Sequence, residues 1–364
     1  MKYLYRLAAV LACFAVVPPA FAAADAPLRI VFIDVEGGAA TLIVTPQHHA
    51  LLIDTGWPGA ISNGGVATPA GAPTSAERIV AAAKAAGLIR IDYLLLTHYH
   101  TDHIGGVREL IDAFPIGTFV DHGANREPRN ANAPADRRGY QSADLYAGYT
   151  AAIAGKPHRV MKPGDTLKID DLLVTAVDSD GAVITHPLPG AGEPGVGCAA
   201  PAPRGDIGTD ENPRSLGTVL QWGRARILAL GDTTHVVEDA LACPRDLIGP
   251  VDLMIADNHG TANAGSATLL DTVKPSLYVF NNGATKGADA ASLRFVKSAP
   301  YVKGVWQVHL ATRSPDVNAP PDHIANVDAA DDGHTIDASV GKDGAIAITN
   351  ARTGATFYYA RQAR

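Results

Sequence analysis

The chain has 364 residues, 47% of them hydrophobic and 18% charged, with 30 basic against 37 acidic side chains and a net charge of −7. That is long enough for one large or two small domains with a sizeable core. The acidic balance argues against a general nucleic-acid coat, and no stable nucleic-acid partner is expected.

In chain order, Met1–Arg6 is a short basic start and Leu7–Val17 an apolar run of 11 residues. Pro18-Pro19-Ala20-Phe21-Ala22 then supplies a small-x-small cleavage pattern. This reads as a secretory signal over residues 1–22, too short to span a bilayer, with Ala24 as the alternative cleavage point. Cys13 weakly resembles a lipoprotein acceptor, but the apolar run continues past it. No later stretch approaches 18 apolar residues, so no transmembrane segment is expected in the mature chain, which should be exported to the periplasm or the extracellular space. Losing Lys2 and Arg6 takes the 30 basic residues to 28 against 37 acidic ones. The mature chain keeps Cys198 and Cys243, expected to pair in an oxidising compartment, with two unrelated thiols as the rival reading.

Residues 28–35, 40–44 and 50–53 read as strands, the last ending at Asp54-Thr55-Gly56. Thr74-Ser75-Ala76-Glu77 is a capping-box pattern opening a helix that stops at Gly87. A strand over 91–96 and a helix over 106–113 follow. Residues 123–139 carry Asn, Pro, Ala and Arg with no apolar period and read as a loop, and 140–154 reads as a helix. Further strands are expected at 172–177, 216–222, 226–230, 251–256 and 277–280, with a Pro/Gly-rich insertion over 187–213. The tail from Thr335 to Ala360 alternates as two or three strands. Strands followed by strand–helix alternation, twice over, predict two sheets sandwiched between helix layers.

The run Thr97-His98-Tyr99-His100-Thr101-Asp102-His103 carries the chemistry. It places three imidazoles and a carboxylate within six residues at the C-terminal end of a buried strand. Imidazole nitrogen and carboxylate oxygen suit Zn2+ and similar divalent ions. In extended backbone alternate residues point the same way, so His98 and His100 can converge on one metal, while Asp102 and His103 reach a second. Two other strands end in ligand-type residues: Leu230-Gly231-Asp232, and Asp257-Asn258-His259-Gly260.

The order Asp54, the His/Asp loop, Asp232, His259 resembles the metallo-β-lactamase superfamily over residues 28–310. Glu211-Asn212-Pro213-Arg214-Ser215-Leu216 before a strand, then Leu-Gly-Asp and a His-Gly turn, resemble the hydrolase domain of ComEC-type competence proteins and their secreted relatives. The resemblance implies an α/β (α+β) protein, a four-layer αββα sandwich over 28–315. The segment 316–364 is expected to form a C-terminal antiparallel β extension packed on the same domain.

The resemblance further implies two divalent ions, zinc expected and manganese the alternative. His98 and His100 would hold the first, Asp102, His103 and His259 the second, and Asp232 would bridge both. Two cations about 3.5–4 Å apart lower the pKa of a shared water towards 7 and clamp the oxygen that gains charge in the transition state. Asp102 and Asp232 are the candidate catalytic carboxylates. Asp54, Asn212 and Asn282 are expected to orient ligands or contact substrate. For Asp54 the rival role is capping its own turn.

The sequence departs from the family pattern at one ligand. The position of a third His for the first metal is Asn212, a much weaker zinc ligand; His186, His122 and His309 are the alternatives. Lys286, Arg126, Arg137 and Arg138 are rim cations that a phosphate-bearing substrate would use, unless they are merely solvated. The bridging carboxylate counts against true β-lactam hydrolysis. The expected function is therefore a secreted metal-dependent hydrolase of small or oligomeric phosphodiesters. A lactonase or other ester or thioester hydrolase, or a non-catalytic metal-binding module, is the alternative.

Overall fold

A computed structural model describes residues 26–62, 65–198, 207–328 and 333–361. The expected signal segment 1–22 lies outside these residues, as does part of the 187–213 insertion.

Two nine-stranded mixed sheets face one another. Across the first run Thr356–Tyr359, Ile346–Asn350, Ile336–Val340, Leu28–Phe32, Thr41–Val44, Ala50–Ile53, Ile91–Leu95, Ile116–Asp121 and His158–Val160. Across the second run Ala182–Val183, Leu172–Ser179, Gly217–Trp222, Ala225–Ala229, Leu253–Ile255, Leu277–Phe280, Gly304–His309 and Ile324–Asn326, with Thr166–Ile169 paired beside Leu172–Ser179.

Period-two alternation sorts the side chains into layers. Leu28, Ile30, Phe32 and Leu95 of the first sheet meet Ile227, Ala229, Ile255 and Val279 of the second in the central core. The intervening residues point outwards. Val31, Leu42, Leu94 and Leu96 bury Ile79, Ala83, Leu110 and Tyr149 from Ser75–Ala85, Val107–Ala113 and Ser142–Ala152. On the far side Leu228, Met254 and Phe280 bury Val237, Leu241, Leu269 and Leu293 from His235–Ala242, Ala267–Val273 and Ala290–Ser298. The result is the αββα sandwich. The capping box forms as read: Thr74 Oγ1 accepts from Glu77 N at 3.2 Å, and Glu77 Oε2 accepts from Thr74 N at 2.8 Å.

The tail strands do not stand apart. Ile336–Val340 pairs antiparallel with Leu28–Phe32, Leu28 opposite Val340, so they widen the first sheet. Cys198 and Cys243 form a disulfide that ties the Pro/Gly-rich insertion to the end of His235–Ala242. Among the described residues no helix is long and apolar enough to cross a membrane.

Candidate metal centre

Strand tips from both sheets converge on one edge of the sandwich. Past Ile91–Leu95, Leu96 N still bonds Val120 O, but Thr97 N turns to Asp54 Oδ1 at 2.8 Å and Thr97 O accepts Leu216 N from the opposite sheet. His98 and His100 therefore leave extended backbone, whereas Asp102 and His103 lie on a one-turn helix, Thr101–Ile104. Asp232 follows Ala225–Ala229 through Gly231, whose φ is +65°; a Cβ there would meet Thr97 and Ser215. His259 has φ 53° directly after Asn258 at 46°, a left-handed pair rare for residues with side chains. Ala288 N holds this turn by donating to His259 O at 2.8 Å. Such strain is tolerated where surrounding bonds over-determine it.

Each of the four imidazoles has one nitrogen on an oxygen acceptor and the other aimed inwards. His103 Nδ1 donates to Asp54 Oδ2 at 2.8 Å. His259 Nδ1 donates to Asn281 O at 2.9 Å. His98 Nδ1 lies 3.1 Å from Thr97 Oγ1, which itself donates to Asp54 Oδ2. His100 Nε2 lies 2.9 Å from Glu127 Oε2. These partners set the tautomers. The inner nitrogens then face each other: His98 Nε2 and His100 Nδ1 at 3.1 Å, His103 Nε2 and His259 Nε2 at 3.1 Å.

Carboxylates close the deeper group. Asp232 Oδ1 is 3.1 Å from His103 Nε2 and 3.5 Å from His259 Nε2; Asp102 Oδ2 is 3.4 and 3.0 Å from the same atoms. A four-coordinate zinc with ligands about 2.0–2.1 Å away has ligand–ligand edges of roughly 3.3 Å. The donor set and its spacing therefore fit such an ion at Asp102, His103, Asp232 and His259. Asp232 Oδ1 is also buried and faces the Nε2 atoms of His103 and His259, the placement expected of an oxygen that would share a cation with them. The His98 and His103 ring centroids are 4.1 Å apart, so the two inner pairs adjoin.

Burial and neighbouring charge oppose one another across the cluster. Burial opposes ionisation of Asp232, yet His103 and His259 hold its carboxyl below the usual carboxylate range. Burial likewise opposes a charged His103, but Asp232, Asp102 and Asp54 raise it well above an ordinary imidazole. His98 goes the other way, lowered first by burial and then by the neighbouring His103 and His100 rings. Asp102 is held well down, against its burial, chiefly by Lys286 and His103.

The remaining sequence candidates fall out differently. Asp54, itself at φ 60°, accepts from Thr97 and His103 and so holds both His pairs at once. Asn212 starts the 3-10 turn Asn212–Arg214, with its amide oxygen buried and unpartnered. His186 is exposed and bonded to its neighbour Thr185 at 3.0 Å. His122 pairs with buried Glu211 at 3.0 Å, and His309 with buried Asp34 at 2.7 Å. The Asn282 amide bonds Gly283 O and His309 O, pinning two strand tips, and its neighbour's backbone carbonyl does the orienting of His259.

Lys286 reaches the cluster. Its ammonium contacts Asp102 Oδ2, bonds Gly37 O at 3.1 Å and lies 5.3 Å above the Trp57 ring. The arginines are engaged elsewhere: Arg126 with Asp180, Arg138 with Ala133 O, and Arg137 against Gly65 and Asp136. Glu127 was missed in the sequence because its loop has no periodicity to mark it. Glu211 was visible only as part of a motif, with no sign that it would be buried.

Comparison with known proteins agrees with this architecture. The sequence profile of the metallo-beta-lactamase superfamily matches residues 33–276. The hydroxyacylglutathione hydrolase of Alkalilimnicola ehrlichii is 47% identical over 47 residues, 13% of this chain and 18% of that one. That of Aliivibrio salmonicida is 51% identical over 56 residues, 15% and 21% of the two chains. The matches thus span only about a fifth of these relatives' length. Among solved structures, a metallo hydrolase from Ignicoccus hospitalis is similar at 14% identity and TM-score 0.40, covering 76% of this chain and 93% of that one. A possible metal-dependent hydrolase from Veillonella parvula matches at 14% identity and TM-score 0.41, covering 85% and 99%. With a profile match over most of its length and the αββα sandwich in place, the chain belongs to the metallo-β-lactamase superfamily.

Proposed function

We propose that the protein is an exported dinuclear metal hydrolase acting on phosphodiesters. One observation carries the metal half of this reading: two pairs of inward imidazole nitrogens, each 3.1 Å apart, the second closed by Asp102 and Asp232. In this reading His98 Nε2, His100 Nδ1 and Asp232 hold one ion, with the orphaned Asn212 oxygen as a further weak donor. Asp102, His103, Asp232 and His259 hold the other. Zinc suits the donors best, and manganese is the alternative. When bound, the pair would lower the pKa of a water towards 7 and stabilise charge developing on the attacked group.

The chain's own residues do the rest. Asp54 and Thr97 lock the imidazoles, and the bound ions would neutralise Asp102. The Lys286 ammonium is then placed to turn from that carboxylate to an anionic oxygen of the substrate. This supports a substrate with negative charge beside the scissile bond. The ComEC-like run Glu211–Leu216 supports phosphodiesters in particular. The disulfide supports export, since such bonds persist in oxidising compartments.

A second reading, thioester or ester hydrolysis, is favoured by the short matches to hydroxyacylglutathione hydrolases. The test is turnover by the zinc-loaded protein of bis(p-nitrophenyl) phosphate, an acyl-glutathione thioester, a lactone and a β-lactam. The phosphodiester should be cleaved fastest and the β-lactam not at all. Dominant thioester or lactone cleavage would replace the first reading by the second.

A further inference from the structure

We infer that Glu127, on the non-periodic loop 123–139, is the positioning carboxylate of the first metal site. This rests on the dinuclear reading above and adds a residue to it. The outer nitrogens of the other three imidazoles are held by groups at the strand tips: Asp54, Thr97 and the Asn281 carbonyl. His100 has no such partner. Its Nε2 meets Glu127 Oε2 at 2.9 Å, with Asp210 Oδ1 farther off at 3.9 Å, and the Glu127 contact directs Nδ1 to within 3.1 Å of His98 Nε2.

Hydrogen bonds from the chain itself fix the carboxylate. Ser142, at the start of Ser142–Ala152, donates its hydroxyl to Glu127 Oε2 at 2.8 Å. Asn125 bonds the Glu127 backbone on both sides, its Nδ2 donating to Glu127 O at 2.7 Å and its Oδ1 accepting from Glu127 N at 3.3 Å. Arg126 N donates to Glu211 Oε1 at 2.7 Å, and Glu211 Oε2 lies 3.0 Å from His122 Nε2. Glu211 directly precedes Asn212, so one network joins Glu127, the Asn212 turn and the end of Ile116–Asp121.

The physical consequence is specific to this site. With Asn212 in place of an imidazole, the first ion depends on His98, His100 and Asp232. A carboxylate behind His100 fixes its tautomer and makes its free nitrogen more basic. Removing such a partner costs about 10- to 100-fold in metal affinity. The His103/His259 group has no bond to Glu127 and should be spared.

The experiment is zinc content of the full mature protein after dialysis at a free zinc level that just saturates wild type. Wild type should hold two equivalents and Glu127→Ala one, the second returning only at about 10- to 100-fold higher zinc. Glu127→Gln, whose amide oxygen still accepts from Nε2, should lose less, and its near-identical shape keeps the test valid if the alanine variant misfolds. Retention of two equivalents at wild-type affinity by both variants overturns the inference. So does loss of both equivalents together, which marks a general folding role. If wild type itself binds no zinc, the metal reading falls and takes this inference with it.

Discussion

The two halves of the candidate centre are built differently. Asp102, His103, Asp232 and His259 have side chains no more than 11% exposed and come from the tips of both sheets. His98 is as deeply buried, but His100 is 26% exposed and leans on a Glu127 that is 37% exposed. The deep half has two carboxylates and two imidazoles within 4.8 Å of one another. The open half has the two imidazoles of His98 and His100, to which the proposed reading adds a share of Asp232 and the Asn212 amide. Affinity should therefore reside in the deep half, and the open half should be where ion occupancy and substrate access vary.

The largest effect is expected from Asp232→Asn, which removes the carboxylate that both halves would share in the proposed reading. Turnover should fall on the order of 10²–10³-fold or more, the scale of losing one preorganised electrostatic group. Circular dichroism should stay native; activity within a few-fold of wild type would make Asp232 a turn residue. Asp54→Ala comes next, because it frees His103 directly and His98 through Thr97. Zinc affinity in competition with a chromophoric chelator should weaken about 10- to 100-fold in the deep half, with a smaller loss in the open half. Equal affinity to wild type would reduce Asp54 to capping its own turn.

Asn212→His sharpens the contrast from the other side. An imidazole in place of the unpartnered amide should raise zinc affinity of the open half alone, so that two equivalents bind at lower free zinc. Unchanged affinity would detach Asn212 from the centre. The smallest effect on the site is expected from Cys198→Ser with Cys243→Ser. Opening the loop of about 46 residues should cost on the order of 4 kcal/mol of stability in the loop-entropy model, read by urea unfolding. Metal content should not change, because the bridge lies at the far end of His235–Ala242 from Asp232.

What was legible in the sequence follows the same division. Ligand residues placed directly after apolar strands announce themselves, since the strand fixes where the next side chains emerge; all six named ligand candidates meet at one edge. The capping box and the alternation of Leu94, Leu95 and Leu96 likewise encode local geometry. Short exposed strands such as His158–Val160 carry no period and went unseen. So did Ile116–Asp121, whose Gly117 packs against the Asp92 backbone at the start of an otherwise apolar run. That the tail would join the first sheet beside Leu28–Phe32 is a pairing across some 300 residues, which no local pattern encodes. Glu127 is the sharpest omission: its role comes wholly from a loop folding back onto His100, and one Glu among Asn, Pro and Arg looks like solvent.

The most direct test of the account is zinc titration of the metal-stripped protein, followed by elemental analysis. Two equivalents should bind in two phases, the tighter abolished by His259→Ala and the weaker by His98→Ala. No binding, a single phase, or two phases untouched by either substitution would contradict a dinuclear centre with one deep and one open half.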